Sequence, residues 1–361
     1  MNVGILIPVL TSKDAVGADA LAMAAILEDM GLQVRIFCLS ASGVDRAAHE
    51  ADQLPEFAGG PGDLVIYHYS TGWALAIELL KRCRGFRIVK YHNITPPEFF
   101  EGYSDDYRTA CENGRKELEQ VAALGFDRVL GASEYNLEEL IAAGAPRERS
   151  HVLAPFHRVA EIVEAEADLV LLDRLGDGAR NFLMVGRVAP NKGHLELIDA
   201  FDAYVQGYSG AARLIVVGKS DPRLDRYTGA IRQRIDEYGL GDRVLWIESA
   251  SEAQLKAAYL ASHAFMTHSR HEGFCVPLIE AMALGTPIVA HASSAIPETL
   301  GDAGLIWSES DPWLHASSAA RLFADDALRA GLLDCAHRRY RERYSVDVLT
   351  AQFKALLEPL L

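Results

Sequence analysis

The sequence predicts an α/β protein made of two doubly wound, parallel-sheet domains in tandem, and three observations predict it. Its 361 residues exceed the size at which a single hydrophobic core usually keeps growing. Short apolar runs alternate with amphipathic segments, the rhythm of a parallel sheet covered by helices on both faces. The rhythm stops once, near the middle of the chain, and then restarts.

In the first half, residues 3–8, 34–39, 64–68, 88–92 and 129–132 read as strands and 18–30 as a helix. From 158 to 180 the chain is rich in Glu, Ala and Asp and closes on Gly176-Asp177-Gly178. After it, 182–186, 214–218, 244–247, 264–267 and 288–290 read as strands again. The expected organisation is a first domain over 1–160, a linker over 158–178 and a second domain over 175–344. Residues 345–361 carry Val348, Leu349, Phe353, Leu356 and Leu357 at helical spacing, so they are expected to form a helix that packs back on the first domain. Open α/β sheets bind ligands at the carboxyl ends of their strands, so the expected site is the crevice between the domains.

Half of the residues are hydrophobic and 24% are charged, far from the signature of disorder. A net charge of −15 argues against a general nucleic-acid binder, which needs clustered Lys and Arg. Cys38, Cys83, Cys111, Cys275 and Cys335 are odd in number and unpaired by any CxxC spacing, which fits a reducing cytoplasm and points to neither a disulfide framework nor zinc. No window reaches about 18 uninterrupted apolar residues, so the expected location is cytoplasmic, with peripheral docking at the inner face of the membrane left open.

The strongest local pattern is Glu272-Gly-Phe-Cys-Val-Pro-Leu-Ile-Glu280 followed by Ala-Met-Ala-Leu-Gly-Thr-Pro287. It reads as a loop entering a helix, which sets the backbone N–H groups of Gly273, Phe274, Cys275 and Val276 where a helix N-terminus receives an anion. Glu272 is suited to sugar hydroxyls and Glu280 to a ribose diol. Taken alone, the pattern equally describes a capped helix with two solvated glutamates. Upstream, the strand ending at Gly186 is followed by Arg187, Pro190, Lys192 and Gly193, which puts two cations at a strand's carboxyl end, where the fold aims them at a diphosphate. Surface charge is the ordinary fate of either residue alone.

Gly186-Arg187, Pro190, Lys192-Gly193, Leu197-Ile198, Ala200-Phe201 and the Glu272 to Pro287 run together resemble family 4 of the retaining glycosyltransferases, the group 1 glycosyl transferases, in order and spacing. The resemblance implies the GT-B fold: two Rossmann-like domains facing an interdomain cleft, with a donor-binding C-terminal domain. It implies that Arg187 and Lys192 hold the donor diphosphate, that Glu272 contacts the transferred sugar and that Glu280 holds the ribose. Gly186 and the loop at Gly273, Phe274, Cys275 and Val276 would complete the donor site.

In the N-terminal half, Lys90-Tyr-His-Asn-Ile-Thr-Pro-Pro97 follows a strand, and His92 matches in position the family histidine beside the transferred sugar. Asn93 and Thr95 are candidate acceptor contacts. The loop after the first strand lacks the family's Gly-Gly pair. Gly17 remains as the close-approach position beside the phosphates, and Asp14 and Asp19 are read either as polar contacts or as helix caps.

The resemblance implies a hexosyltransferase that uses a nucleotide diphosphate sugar as co-substrate and requires no metal or other cofactor. Mannose from GDP-mannose is the first expectation and a UDP-hexose the second, with a glycan or lipid-linked saccharide as acceptor. A nucleotide-sugar 2-epimerase of the same fold and a non-catalytic sugar-nucleotide-binding protein are the alternatives. Neither half has a clear GxGxxG after a strand, which speaks against hydride transfer.

Overall fold

The computed structural model describes residues 1–12 and 14–361. Among the described residues, fifteen strands form two large sheets and one small one. In the first half these are β1 (Asn2–Leu6), β2 (Val9–Thr11), β3 (Gln33–Cys38), β4 (Ser40–Ser42), β5 (Ala48–Glu50), β6 (Leu64–Tyr69), β7 (Phe86–Tyr91), β8 (Arg128–Gly131) and β9 (Ser150–Val152). In the second half they are β10 (Arg180–Val185), β11 (Ala212–Val217), β12 (Val244–Ile247), β13 (Ala264–Thr267), β14 (Ile288–His291) and β15 (Leu305–Trp307).

The first sheet has the order β5-β3-β1-β6-β7-β8-β9 and the second β12-β11-β10-β13-β14-β15, with parallel pairing throughout. Strands β2 and β4 pair with each other. Each large sheet winds outward in both directions from its first strand, so its order reverses beside β1 in one and beside β10 in the other. That reversal is the dinucleotide-fold switch point, where adjacent strand ends leave a crevice for a ligand.

The chain divides into two compact units. One comprises Met1–Pro97, Arg108–His157 and Ser345–Leu361; the other comprises Glu98–Tyr107 and Arg158–Tyr344. The ten residues Glu98–Tyr107 therefore leave the stretch expected to form one continuous domain and pack with the second unit. They do so through aromatic side chains: Tyr103 meets Tyr227 edge-on with ring centroids 5.1 Å apart, and Phe99 lies beneath the Arg270 guanidinium at 5.2 Å. The stretch expected as a linker carries two short helices, Val159–Glu164 and Leu169–Leu175, the second capped by the Asp168 carboxylate, which accepts from Leu171 N–H.

The core of each unit follows from its apolar runs. All six residues of β6 are buried, as a strand covered on both faces requires. In the second unit Phe182 packs edge-on against Phe201, Tyr204 and Phe323. The helix Val346–Leu357 buries Leu349, Phe353 and Leu357, and Phe353 meets Phe156 edge-on within the first unit. Among the described residues no helix is long and apolar enough to cross a membrane.

Candidate active site

In the second unit, two loops leave neighbouring strands at the switch point. The loop after β10 carries Gly186, Arg187 and Lys192, and the loop after β13 carries Glu272. Glycines let them approach. A Cβ on Gly193 in the first loop would lie 1.9 Å from the His268 carbonyl oxygen of the second, and a Cβ on Gly218, which follows the neighbouring strand β11, would lie 1.8 Å from that of Gly186. Gly193 also has φ 66°, in the left-handed region where glycine carries little strain. Asn191 ties the loops together: its Nδ2 donates to the His271 carbonyl at 3.0 Å, and its own carbonyl accepts from Arg270 and His271 N–H. Sequence reading passes over Asn191, an ordinary polar residue between two expected site positions.

The result is that Lys192 Nζ donates to both carboxylate oxygens of Glu272, at 2.7 Å each. Glu272 is 7% exposed and is also held through its backbone N–H, which donates to Ser294 Oγ at 2.7 Å. Beyond it the chain turns at Cys275, φ 76°, into the helix Val276–Leu284, with Pro277 in the first turn, where a missing N–H costs nothing. Phe274 and Cys275 are buried: the Phe274 ring meets Tyr344 edge-on, and burial pushes the Cys275 thiol well up. Their side chains are thus committed to packing, and what Gly273, Phe274, Cys275 and Val276 offer a ligand is backbone at a helix start.

Glu280 lies in that helix, 9% exposed, and accepts a 2.7 Å hydrogen bond from the Tyr259 hydroxyl. Burial raises its pKa, opposed by the Tyr259 bond and by the Arg158 charge. It is not a solvated surface glutamate.

Arg187 is exposed and stands apart from the Lys192–Glu272 pair in its contacts. Its Nη1 is 3.4 Å from the Tyr107 hydroxyl and its guanidinium 5.4 Å from that ring's centroid. Tyr107 also meets Arg223, whose guanidinium lies 4.6 Å from the ring centroid and donates to the hydroxyl at 3.0 Å; the hydroxyl donates to Asp221 at 2.7 Å. Arg223 holds the Asp221 carboxyl well below the usual range.

In the first unit, His92 follows β7 and donates its backbone N–H to Tyr69 O at the end of β6. Its Nε2 lies 3.0 Å from His68 Nδ1, and the two rings stack at 5.2 Å. Asp19 Oδ2 is 3.4 Å from His92 Nε2 and 3.5 Å from His68 Nδ1. Lys90 Nζ sits 2.8 Å from both Asp19 oxygens, and Phe156 N–H donates to Asp19 Oδ1 at 2.7 Å. The Asp19, His68 and Lys90 side chains are fully buried. Burial pushes Asp19 up and Lys90 down, each resisted by the other, while burial and the Lys90 charge lower His68 to about 3. Burial also takes His92 well below the usual imidazole range, helped by His68 and Lys90. Asp19, His68 and His92 bring ligand-type atoms within 4.8 Å of one another, a spacing a metal ion accepts, but the Lys90 ammonium already occupies the carboxylate. Asp19 is not a helix cap; it is a core residue whose polar contacts include Lys90 and the Phe156 N–H.

Asp14 is the helix cap. Its Oδ1 accepts from Gly17 N–H at 2.8 Å, and Thr11 Oγ1 donates to its Oδ2. Gly17 makes room for the Thr11 carbonyl, which would lie 1.8 Å from a Cβ there. Its N–H is engaged by Asp14, so its role in this structure is packing. Asn93, φ 76°, donates through Nδ2 to Asn136 and Glu139, in a network that includes Tyr91 and Arg115. Thr95 is half-buried on the same loop.

Residues 174–332 match the family model described as glycosyl transferases, group 1. Mannosylfructose-phosphate synthase of Agrobacterium fabrum is 30% identical over 181 residues, 48% of this chain and 40% of the relative. GDP-mannose:cellobiosyl-diphosphopolyprenol alpha-mannosyltransferase of Xanthomonas oryzae pv. oryzae is 28% identical over 265 residues, 66% of this chain and 63% of the relative. The chain thus spans less than two thirds of the length of these curated relatives. The crystal structure of HepE from Anabaena in complex with UDP superposes with a TM-score of 0.77 at 16% identity, covering 100% of both chains. That likeness is one of fold.

Proposed function

We propose that the chain, whose residues 174–332 match the model of the group 1 glycosyl transferases, transfers a hexose from a nucleotide diphosphate sugar to a hydroxyl of a glycan or lipid-linked saccharide, with retention at the anomeric carbon. The observation that carries this reading is the convergence of Lys192 and Glu272 from two strand ends at the switch point, beside the helix start at Cys275 and Val276. Lys192, Arg187 and the first-turn amides offer positive charge where a leaving diphosphate gains negative charge, and interactions that strengthen in the transition state are the ones that accelerate it. Glu272 faces the sugar hydroxyls and Glu280 the ribose. The acceptor attacks the face the leaving group vacates, which gives retention, and a phosphate oxygen takes the acceptor proton. This scheme asks no metal of the protein, since its own cations do the work.

Mannose from GDP-mannose is the preferred donor. The similarity to two relatives, a mannosylfructose-phosphate synthase and a GDP-mannose-dependent mannosyltransferase, supports it. The HepE complex keeps a UDP-hexose as the second candidate.

Nucleotide release from a panel of GDP- and UDP-sugars tests the reading, run in EDTA with and without glycoside or lipid-pyrophosphate acceptors, for the native chain and Glu272→Ala. Acceptor-stimulated release that survives EDTA and collapses in the variant is the expected result. Donor binding without turnover on any acceptor, or sugar interconversion without one, would overturn it in favour of a binding protein or an epimerase.

A further inference from the structure

The transfer reaction leaves a buried cluster in the first unit without a task. His68 and Lys90 are direct partners in the parallel register of β6 and β7, His92 follows the end of β7, and Asp19 reaches them from the helix Ala15–Asp29. Burying a carboxylate and an ammonium costs several kcal/mol per ion before their attraction offsets it, so such a pair asks for a reason beyond stability.

The reason lies in the protons. His68 Nδ1 and His92 Nε2 face each other at 3.0 Å, so one donates and the other accepts; two protonated nitrogens would set N–H groups head-on. If His92 donates, neutral His68 carries its proton on Nε2, a fully buried atom with no hydrogen-bond partner among the described residues. If His68 donates, that atom is only a bare lone pair. An orphaned buried N–H is the rarer and costlier of the two. With His68 as donor, its N–H also lies 3.5 Å from Asp19 Oδ2, on a carboxylate clamped by Lys90 Nζ and Phe156 N–H. His92 Nε2 then accepts, and the ring's one proton sits on Nδ1, the nitrogen left for a ligand.

We propose that His68 and Asp19 are positioning residues that hold His92 as the Nδ1–H tautomer, so that it meets a sugar hydroxyl as a neutral hydrogen-bond donor and not as a base. Lys90 serves as the internal cation that keeps Asp19 in place. The role toward a sugar rests on the transferase reading; the tautomer is a property of the free chain.

The test is a two-bond proton–nitrogen correlation spectrum of the full chain labelled with ¹⁵N-histidine at neutral pH, with His92→Asn and His68→Asn identifying the signals. The expected spectrum shows His92 protonated on Nδ1 alone and His68 protonated on Nδ1. A proton on His92 Nε2, or a charged His92 ring, would overturn the proposal. So would stoichiometric zinc binding that shifts both rings, which would make the cluster a metal site. His68→Leu removes the donor, whereas the side-chain amide introduced by His68→Asn can stand in for it. In His68→Leu, checked for folding by its thermal midpoint, His92 is expected to populate both tautomers. Its kcat is expected to fall about tenfold, the scale of one hydrogen bond, with the donor KM little changed. His68→Asn is expected to keep the native His92 tautomer. An unchanged kcat in His68→Leu would sink the positioning role. Should the native chain show the tautomer but no transfer, the transferase reading fails and the assignment of protons stands.

Discussion

Lys192 Nζ stands 2.7 Å from each carboxylate oxygen of Glu272, so the cation proposed to hold the diphosphate and the anion proposed to hold the sugar neutralise each other. On the proposed reading, a bound diphosphate would compete for Lys192 and free Glu272 for hydroxyl groups, so that donor binding would exchange one set of charge-assisted bonds for another.

The pair should behave as a unit. Lys192→Ala and Glu272→Ala are each expected to lower kcat/KM for acceptor-stimulated nucleotide release by on the order of 10²-fold, the scale of a lost charge-stabilising contact. The double variant should lose much less than the product of the two. Steady-state kinetics on the full cycle measure this; strict additivity would show that the two residues act independently.

Glu280 sets function against stability. Burial raises its pKa in the folded chain, so its contribution to stability is fully present below the unfolded carboxylate pKa and is lost as pH rises through the folded value. Glu280→Gln keeps an acceptor for the Tyr259 hydroxyl and removes the buried charge. Its thermal midpoint should match the native chain at pH 4 and exceed it at pH 7.5, while nucleotide affinity falls. A variant less stable than the native chain at pH 7.5 would contradict this account.

Gly193→Ala and Gly229→Ala form a matched pair. The first puts a Cβ 1.9 Å from the His268 carbonyl at a φ of 66°, and should cost at least about 2 kcal/mol in chemical denaturation. It should also weaken nucleotide binding by shifting Lys192. Gly229 lies in the helix Asp225–Glu237 with nothing within 4 Å of its missing Cβ, so alanine there should gain about 0.5 to 1 kcal/mol. Equal effects at both positions would show that the close approach at Gly193 carries no energy.

The strands that build both cores are legible because they are continuous apolar runs, and those before and after the break in the rhythm fall into separate sheets. The edge strands β5, β9 and β15 escape such reading: each is only three residues long, too short for a run to stand out, and none of them buries a residue fully. At the donor site, spacing singles out Lys192 and Glu272 but not that they pair, because their meeting depends on Gly193 and Asn191. The Asp19–Lys90–His68 cluster is illegible for the same reason, since 71 residues separate Asp19 from Lys90, and it takes both the register of β6 with β7 and the packing of the helix Ala15–Asp29 to bring the three together. No motif singles out Tyr107, whose ring lies against the guanidiniums of Arg187 and Arg223.

The excursion of Glu98–Tyr107 bears on how this protein can be taken apart. Two units composed of three and two segments meet at four junctions in the chain, so no single cut separates them. A fragment beginning at Arg158 would contain every residue matched by the family model and still lack the rings that cover Tyr227, Arg270 and Arg187. The excised second half is expected to be a damaged protein rather than a domain, and the complete unit can be made only by splicing residues 98–107 to 158–344 or by expressing the whole chain.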